Sequence, residues 1–382
     1  MYKIGFIAFL LFFIACKEKK NNTGIPLDSV RPTEIRYANG FTVKKSESGL
    51  TVIEVASPWP DAETAFTYAL VPREKMAAMT LNRNEYDAIV TVPVERIVVT
   101  STTHIPALEA LGVVDKLVGF PETEYVSSEK TRKRIAAGQV MELGSNRSIN
   151  TERVLKLNPE VVVGFGVEGR NKAYATLQRA NIPVVYNGDW TEETPLGKAE
   201  WIKFFAPFFN KEHEADSIFE GIEKSYLEAA ELARTATKKP SVLSGALYKD
   251  VWYLPGGNSW AAHFIEDANA SYLWADTPET GSLSLSLETV LEKGKSAEFW
   301  VSPSQFTSYS SLGESNRHYR EFDAFKNRNI YTYAGTTGET GGLLYYELAP
   351  QRPDMVLKDL IHIFHPKLLP HHELFFFKPL EP

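Results

Sequence analysis

The sequence predicts an α/β protein of two lobes with mainly parallel sheets, joined by a long helix and preceded by a β-rich extension. Three observations carry this. A helix-then-strand unit occurs twice, at 150–163 and again about 135 residues later at 286–301. In each copy a capping residue precedes a Glu in the first helical turn (Glu152, Glu288), followed by paired apolar residues, a break and an apolar strand. From Arg96 onward strands and helices alternate, the pattern of a parallel sheet covered by helices. Residues 195–237 hold the longest helical periodicity. One repetition so far apart implies two lobes of like design, since a solenoid needs several close copies.

Residues 1–15 read as a secretion signal. Lys3 supplies the basic start, and the apolar run 4–14 is too short to span a bilayer. Cys16 follows the small Ala15 and is the only cysteine, so no disulfide forms within one chain. A lone cysteine is ordinarily a core thiol; at the end of a signal it is expected to carry lipid. Residues 16–33 then form a tether, polar through 17–24. The expected place is the cell envelope, exported and lipid-anchored, periplasmic or on the outer face.

The whole sequence is 43% apolar and 12% aromatic, and the remainder reads as a globular body. Formal charge is −7 with no basic block, which argues against a nucleic-acid partner. No second apolar stretch is long enough to cross a membrane.

Residues 34–92 form the extension, with strands at 35–43 and 50–55 flanking a hairpin turn at 44–49, and a third at 64–71. Residues 93–193 form the first lobe, with strands at 97–99, 117–119, 161–163 and 184–186. Residues 194–238 are the connector. Thr194 suits a cap and Pro195 a first turn. A second helix over 212–236 repeats Phe219, Ile222, Tyr226 and Ala230 at helical spacing and would be roughly 35–40 Å long. Residues 239–366 form the second lobe, with strands at 242–247, 299–302 and 330–333 and a final helix over 353–364. Residues 367–382 are a tail whose Phe375, Phe376 and Phe377 are expected to pack on the body, because exposed they would invite aggregation.

Several motifs bear on chemistry. Gly164, Gly166 and Gly169 follow a strand, with Asp189 twenty residues on, which is the spacing of a dinucleotide-binding loop. The competing reading is a glycine-rich loop at a strand's carboxyl end, facing a cleft. Ser259 fails the nucleophile-elbow pattern at its last position, and a helix cap is the commoner role for such a serine. His362, His365, His371 and His372 lie close in sequence without a zinc signature. Aromatic and glycine residues gather at strand-to-helix loops, as Trp190, Trp252, Trp260 and Tyr345 do, and cleft sites are mostly aromatic walls with a few polar anchors. Arg170 could pair with a carboxylate or chelate oxygen.

Taken in order, the segments 96–102, 107–112, 117–119, 152–163, 177–185, 286–288 and 323–331 resemble one family: substrate-binding lipoproteins of ABC importers for ferric siderophores, haem and cobalamin. The resemblance covers roughly 96–366. It implies two α/β lobes on a stiff helical connector, with an iron chelate or tetrapyrrole-type ligand held between them. It also implies that Glu152 and Glu288 dock on arginines of the permease, where the residues alone suggest only compensation of a helix dipole. Its cleft positions nominate Thr102, His104, Tyr125, Arg170, Trp190, Trp252, Trp260 and Tyr345 as ligand contacts. No catalytic residue, cofactor or resident metal is expected. The alternatives are an exported α/β enzyme, either a dinucleotide-dependent oxidoreductase or a hydrolase, and an adhesion or scaffold lipoprotein.

Overall fold

The computed structural model describes residues 30–382 apart from Ser57, Asp61, Glu63, Val167, Glu168 and Arg170. The signal, Cys16 and the Arg170 contact therefore lie outside the described residues.

Five strands, β1 (Val30–Pro32), β2 (Phe41–Ser46), β3 (Thr51–Val55), β4 (Phe66–Pro72) and β5 (Ala88–Val92), lie side by side in chain order. Gly49 turns the β2–β3 hairpin at φ 90°, a conformation that favours glycine. β4 and β5 are parallel, and the crossover between them lays Met79, Leu81 and Tyr86 over Leu50, Ala69 and Val71. The opposite face, with Ile53, Val55, Tyr68, Leu70 and Val90, is continuous with the core of the first lobe. The extension is thus a third layer of that lobe.

Residues 35–40 are not a strand, contrary to the pattern reading. Their backbone N–H groups turn instead to two buried carboxylates. Glu200, fully buried, accepts from Arg36, Tyr37 and Ala38 at 2.7–3.0 Å and from the Lys203 ammonium at 3.0 Å. Glu192 accepts from Asn39 and Gly40 and from the Trp201 indole.

In the first lobe a parallel sheet runs β12-β11-β6-β7-β8. Its strands are β6 (Ile97–Val99), β7 (Leu117–Phe120), β8 (Met141–Glu142), β11 (Val161–Phe165) and β12 (Val184–Asn187), with β9 (Gly144–Ser145) and β10 (Ser148–Ile149) as a small side hairpin. The valines of β6 and β11 are fully buried on both faces, which is why they read as unbroken apolar runs. Helices α1 (His104–Ala110), α2 (Glu129–Ala136), α3 (Thr151–Leu157) and α4 (Lys172–Arg179) alternate with them.

The connector is α5 (Pro195–Glu200), α6 (Ile202–Phe205) and α7 (Glu212–Arg234). Thr194 caps α5, accepting from Gly197 at 3.1 Å. The 23 residues of α7 span about 34 Å. Ala215, Phe219 and Ile222 of α7 belong to the first lobe's core, whereas Tyr226, Ala229, Ala230 and Ala233 belong to the second's. One helix is built into two cores.

The second lobe holds β13 (Ser241–Ser244), β14 (Ala246–Tyr248), β15 (Val251–Pro255), β16 (Ser271–Tyr272), β17 (Ser282–Leu285), β18 (Phe299–Val301), β19 (Ile330–Thr332) and β20 (Lys378–Pro379). Its main sheet runs β16-β13-β18-β19-β20, parallel except for β20. The strand expected over 242–247 is broken at Gly245, whose φ is 77° and where a Cβ would fall 1.9 Å from the Tyr253 carbonyl oxygen. The chain there leaves the parallel sheet and enters an antiparallel one, β14-β15-β17. Helices α8 (Trp260–Asp267), α9 (Leu287–Gly294), α10 (Tyr309–Ser315), α11 (Asp323–Lys326), α12 (Leu344–Leu348) and α13 (Pro353–Phe364) complete the lobe.

The tail is stitched down by Asp359 of α13. Fully buried, it accepts from the backbone of Phe375, Phe376 and Phe377 and lies 2.7 Å from the His372 Nε2. Phe376 and Phe377 are buried, while Phe375 stays partly exposed.

Replacing Glu200 leaves three backbone N–H groups without their acceptor and takes from the Lys203 ammonium its buried carboxylate, leaving it the Glu34 carbonyl and Asp216 at 3.6 Å. Glu200→Ala is predicted to destabilise the protein by about 3–5 kcal/mol, read from chemical denaturation. A loss under 1 kcal/mol would show that the 35–40 segment does not depend on this carboxylate.

A two-chambered cleft as the candidate functional site

The carboxyl ends of the parallel strands in both lobes face one another across a cleft, the usual place for a ligand in open α/β sheets. The cleft has a larger chamber of about 650 Å³ and a smaller one of about 470 Å³, with Tyr346 lining both.

The smaller chamber lies against loops after β6, β7 and β11. They present Thr100–Thr102, Pro121, Glu122, Tyr125 and Phe165, opposite Gln305, Gly342 and Leu343 of the second lobe. The larger is walled by aromatics from both lobes. Trp190, in the turn after β12, is fixed by indole N–H bonds to the carbonyls of Pro58 and Gly166. Trp260 opens α8. Tyr333, just beyond β19, stacks on Tyr345 of α12 with centroids 4.3 Å apart and planes 9° apart. The hydroxyls of Tyr333 and Tyr346 meet at 2.7 Å. Phe377 of the tail and Pro60 of the extension also reach this chamber, so all parts of the chain contribute. Burial holds the Tyr333 and Tyr345 phenols above their usual pKa, which keeps both neutral.

Of the expected contacts, Thr102 and Tyr125 line the smaller chamber, and Trp190, Trp260 and Tyr345 the larger. Two are corrected. His104 is fully buried in the first lobe's core, because α1 begins there and turns it inward, 5.4 Å from the Phe205 ring. Burial depresses its pKa, and neither ring nitrogen has a hydrogen-bond partner among the described residues. Trp252 is likewise core. On β15 Trp252 and Leu254 point inward, and Trp252 lies 5.4 Å from Trp300 with its indole N–H on the Ser244 carbonyl. Its neighbour Tyr253 is the exposed one.

The enzyme motifs resolve into structural roles. A Cβ at Gly164 would lie 2.6 Å from the Tyr174 ring, and one at Gly166 would lie 2.9 Å from Trp59, so both glycines make room for aromatic side chains. The Ser259 hydroxyl caps α8, accepting from Ala262 and donating to the Gly256 carbonyl. His362 and His365 face backbone carbonyls, and no group of three or more metal-ligating side chains occurs among the described residues.

Sequence reasoning missed Tyr333 and Lys198, and placed Tyr346 only within a loop expected to line the cleft. Tyr346 adjoins the nominated Tyr345, and no pattern in the chain tells which of the two tyrosines spans the chambers. Lys198 had no signal: it is a charge inside a buried helix.

The lobes also touch directly. Glu347 of α12, 2% exposed, accepts from the backbone N–H of Ser127 at 2.6 Å and Ser128 at 2.8 Å, at the start of α2 in the other lobe. The Thr340 hydroxyl donates to the Glu124 carbonyl at 2.6 Å. A Cβ at Gly338 would lie 2.5 Å from the Ser127 Cα, and one at Gly342 2.3 Å from the Tyr125 carbonyl oxygen. Only glycine permits this approach. Burial pushes the Glu347 carboxyl up to about 7, and the nearby Glu109 adds to it, against the pull of the two N–H donors.

The sequence profile of the family described as Periplasmic binding protein matches residues 97–336. The chain belongs to that family. It is therefore a binding protein and not an enzyme, which sets aside the oxidoreductase and hydrolase alternatives. The binding protein is 29% identical over 298 residues to an uncharacterized lipoprotein of Methanocaldococcus jannaschii, covering 76% of this chain and 69% of that one. A periplasmic binding protein from Veillonella parvula superposes with a TM-score of 0.59 at 17% identity, covering 85% of this chain and 95% of its own. A periplasmic heme binding protein from Pseudomonas aeruginosa gives 0.57 at 18% identity, covering 76% of this chain and 99% of its own. These two likenesses establish the two-lobed fold.

Glu347 sets a pH dependence whose sign follows from its raised pKa. The buried, protonated form is favoured, so the stability this group lends the folded protein is greatest at acid pH. It declines as pH rises from about 4.5 through about 7, by about 3 kcal/mol. Thermal melts of wild type should therefore fall between pH 5 and 8 more steeply than those of Glu347→Gln. Parallel curves for the two proteins would remove Glu347 from the pH response.

Proposed function

We propose that the protein captures an iron chelate or related tetrapyrrole (haem or cobalamin) in the interlobe cleft and delivers it to an ABC permease, while Cys16 anchors it by lipid in the cell envelope after export. The observation that supports this best is the larger chamber, a cavity of about 650 Å³ with aromatic walls from both lobes. Flat unsaturated ligands bury well against such walls, and a few polar groups then fix their orientation. The haem-binding neighbour and the lipoprotein relative agree with this reading. Small molecules that co-purify with the protein, identified by mass spectrometry, test it directly. A nucleotide or peptide as the sole occupant would refute it.

Glu152 and Glu288 are proposed as the permease-docking pair. Both are exposed in the first turn of a helix, α3 and α9, each capped by the preceding Asn150 or Ser286. Both helices feed parallel strands, β11 and β18, whose carboxyl ends face the cleft, so their first turns lie at the cleft end of each lobe. The Glu152→Ala, Glu288→Ala double variant should keep ligand affinity within about twofold while uptake in cells is abolished. Unimpaired uptake would withdraw the docking role.

Because α7 is shared by both cores, loading should close the lobes by only a few degrees. Solution scattering of free and loaded protein should give nearly equal radii of gyration, and a large compaction on loading would contradict this.

A further inference from the structure

Lys198 stands in the wall of the larger chamber, in the first connector helix, and is only 7% exposed. Its ammonium donates to the carbonyls of Asp189 at 3.1 Å and Trp190 at 2.9 Å, and sits 5.3 Å over the Trp260 ring. Two of its three N–H groups are thereby used. No carboxylate forms an ion pair with it among the described residues, and Asp189 and Glu192 act on it only through space. Glu192 spends its oxygens on the backbone of Asn39 and Gly40 and on Trp201. Glu193, also in the wall, is exposed and screened by solvent.

Among the described residues that line this chamber, Lys198 is the only cation. A buried charge with no direct ion-pair partner is costly, and an incoming anion in contact with it relieves that cost. Resting on the importer reading, we propose that Lys198 anchors an anionic oxygen, such as a carboxylate, on an aromatic-faced ligand lying between Trp190, Trp260 and the stacked Tyr333 and Tyr345. The cavity then selects ligands by charge as well as by shape. Trp260 would hold both the ammonium and the ligand's flat face, and the carbonyls of Asp189 and Trp190 keep the ammonium from swinging away. Burial brings the Lys198 ammonium down to about 8, so the anchor is present at neutral pH and lost in mild alkali.

The test uses two matched pairs of probes followed by tryptophan quenching in the full-length protein. One pair is haemin and its dimethyl ester, which share a ring and differ in their carboxylates. The other is a triply negative ferric tris-catecholate and a neutral ferric trihydroxamate. The expected result is that in at least one pair the anionic member binds about tenfold or more tightly than the neutral one, the worth of one charge-assisted hydrogen bond. Lys198→Met should erase that difference, and Lys198→Arg should keep most of it. Wild-type affinity for the anionic probe should fall as pH rises from 7 to 9.5, while that of Lys198→Arg stays level. If Lys198→Met does not fold, the arginine variant and the pH series decide the matter alone. Equal binding of charged and neutral members by wild type, or an equal loss of both in Lys198→Met, overturns the proposal and leaves the importer reading standing. Failure to bind any of the four probes overturns the proposal together with the iron-chelate and haem forms of the importer reading, and leaves only cobalamin.

Discussion

Everything about the cleft depends on α7 belonging to two hydrophobic cores at once. Phe219 and Ile222 cannot leave the first lobe, nor Tyr226 and Ala230 the second, without exposing apolar surface that would cost several kcal/mol. A helix resists bending over a few turns, so the spacing of the two sheets is set when the cores form. A ligand entering the cleft would meet walls already in position, and little binding energy would go into ordering them.

A second device recurs through the molecule: a buried carboxylate gathers the backbone N–H groups of a distant segment. Glu200 and Glu192 hold residues 36–40 to the connector, and Asp359 holds the tail. Glu347 holds one lobe to the other. Each replaces the neighbour that a strand or helix would supply, in places where the chain is irregular and buried. Glu192 also stands beside the chamber, so the joint that docks the N-terminal sheet is part of the wall that a ligand meets. The extension, which had no assigned role in the sequence, contributes Pro60 to the larger chamber and the Pro58 carbonyl that orients Trp190.

The two-lobed plan was legible because its signals are periodic and local: fully apolar β6 and β11, the capped helices at Asn150 and Ser286, and the long pattern of α7. What was not legible depends on direction and on distant partners. Trp252 and Tyr253 are adjacent on β15, and only the packing of β15 under Trp300 decides which faces the core. His104 opens a helix at the end of a cleft-facing loop, yet its side chain turns toward Phe205. The strand expected over 35–43 begins only at Phe41, because carboxylates more than 150 residues away compete for its N–H groups. Glu200 and Lys198 look like ordinary charges on a helix surface until the extension and the second lobe close over them.

The glycines at 338 and 342 have a consequence for how such a protein can change its cargo. Backbone meets backbone at that seam, so the gap between lobes cannot be retuned by exchanging side chains there without forcing them apart. The aromatic panels at Trp190, Trp260 and Tyr346 line the chamber with side chains, not backbone, so the contacts that hold them are side-chain contacts. Exchanging that lining would alter the shape of the chamber while the glycine seam keeps the frame at a constant width.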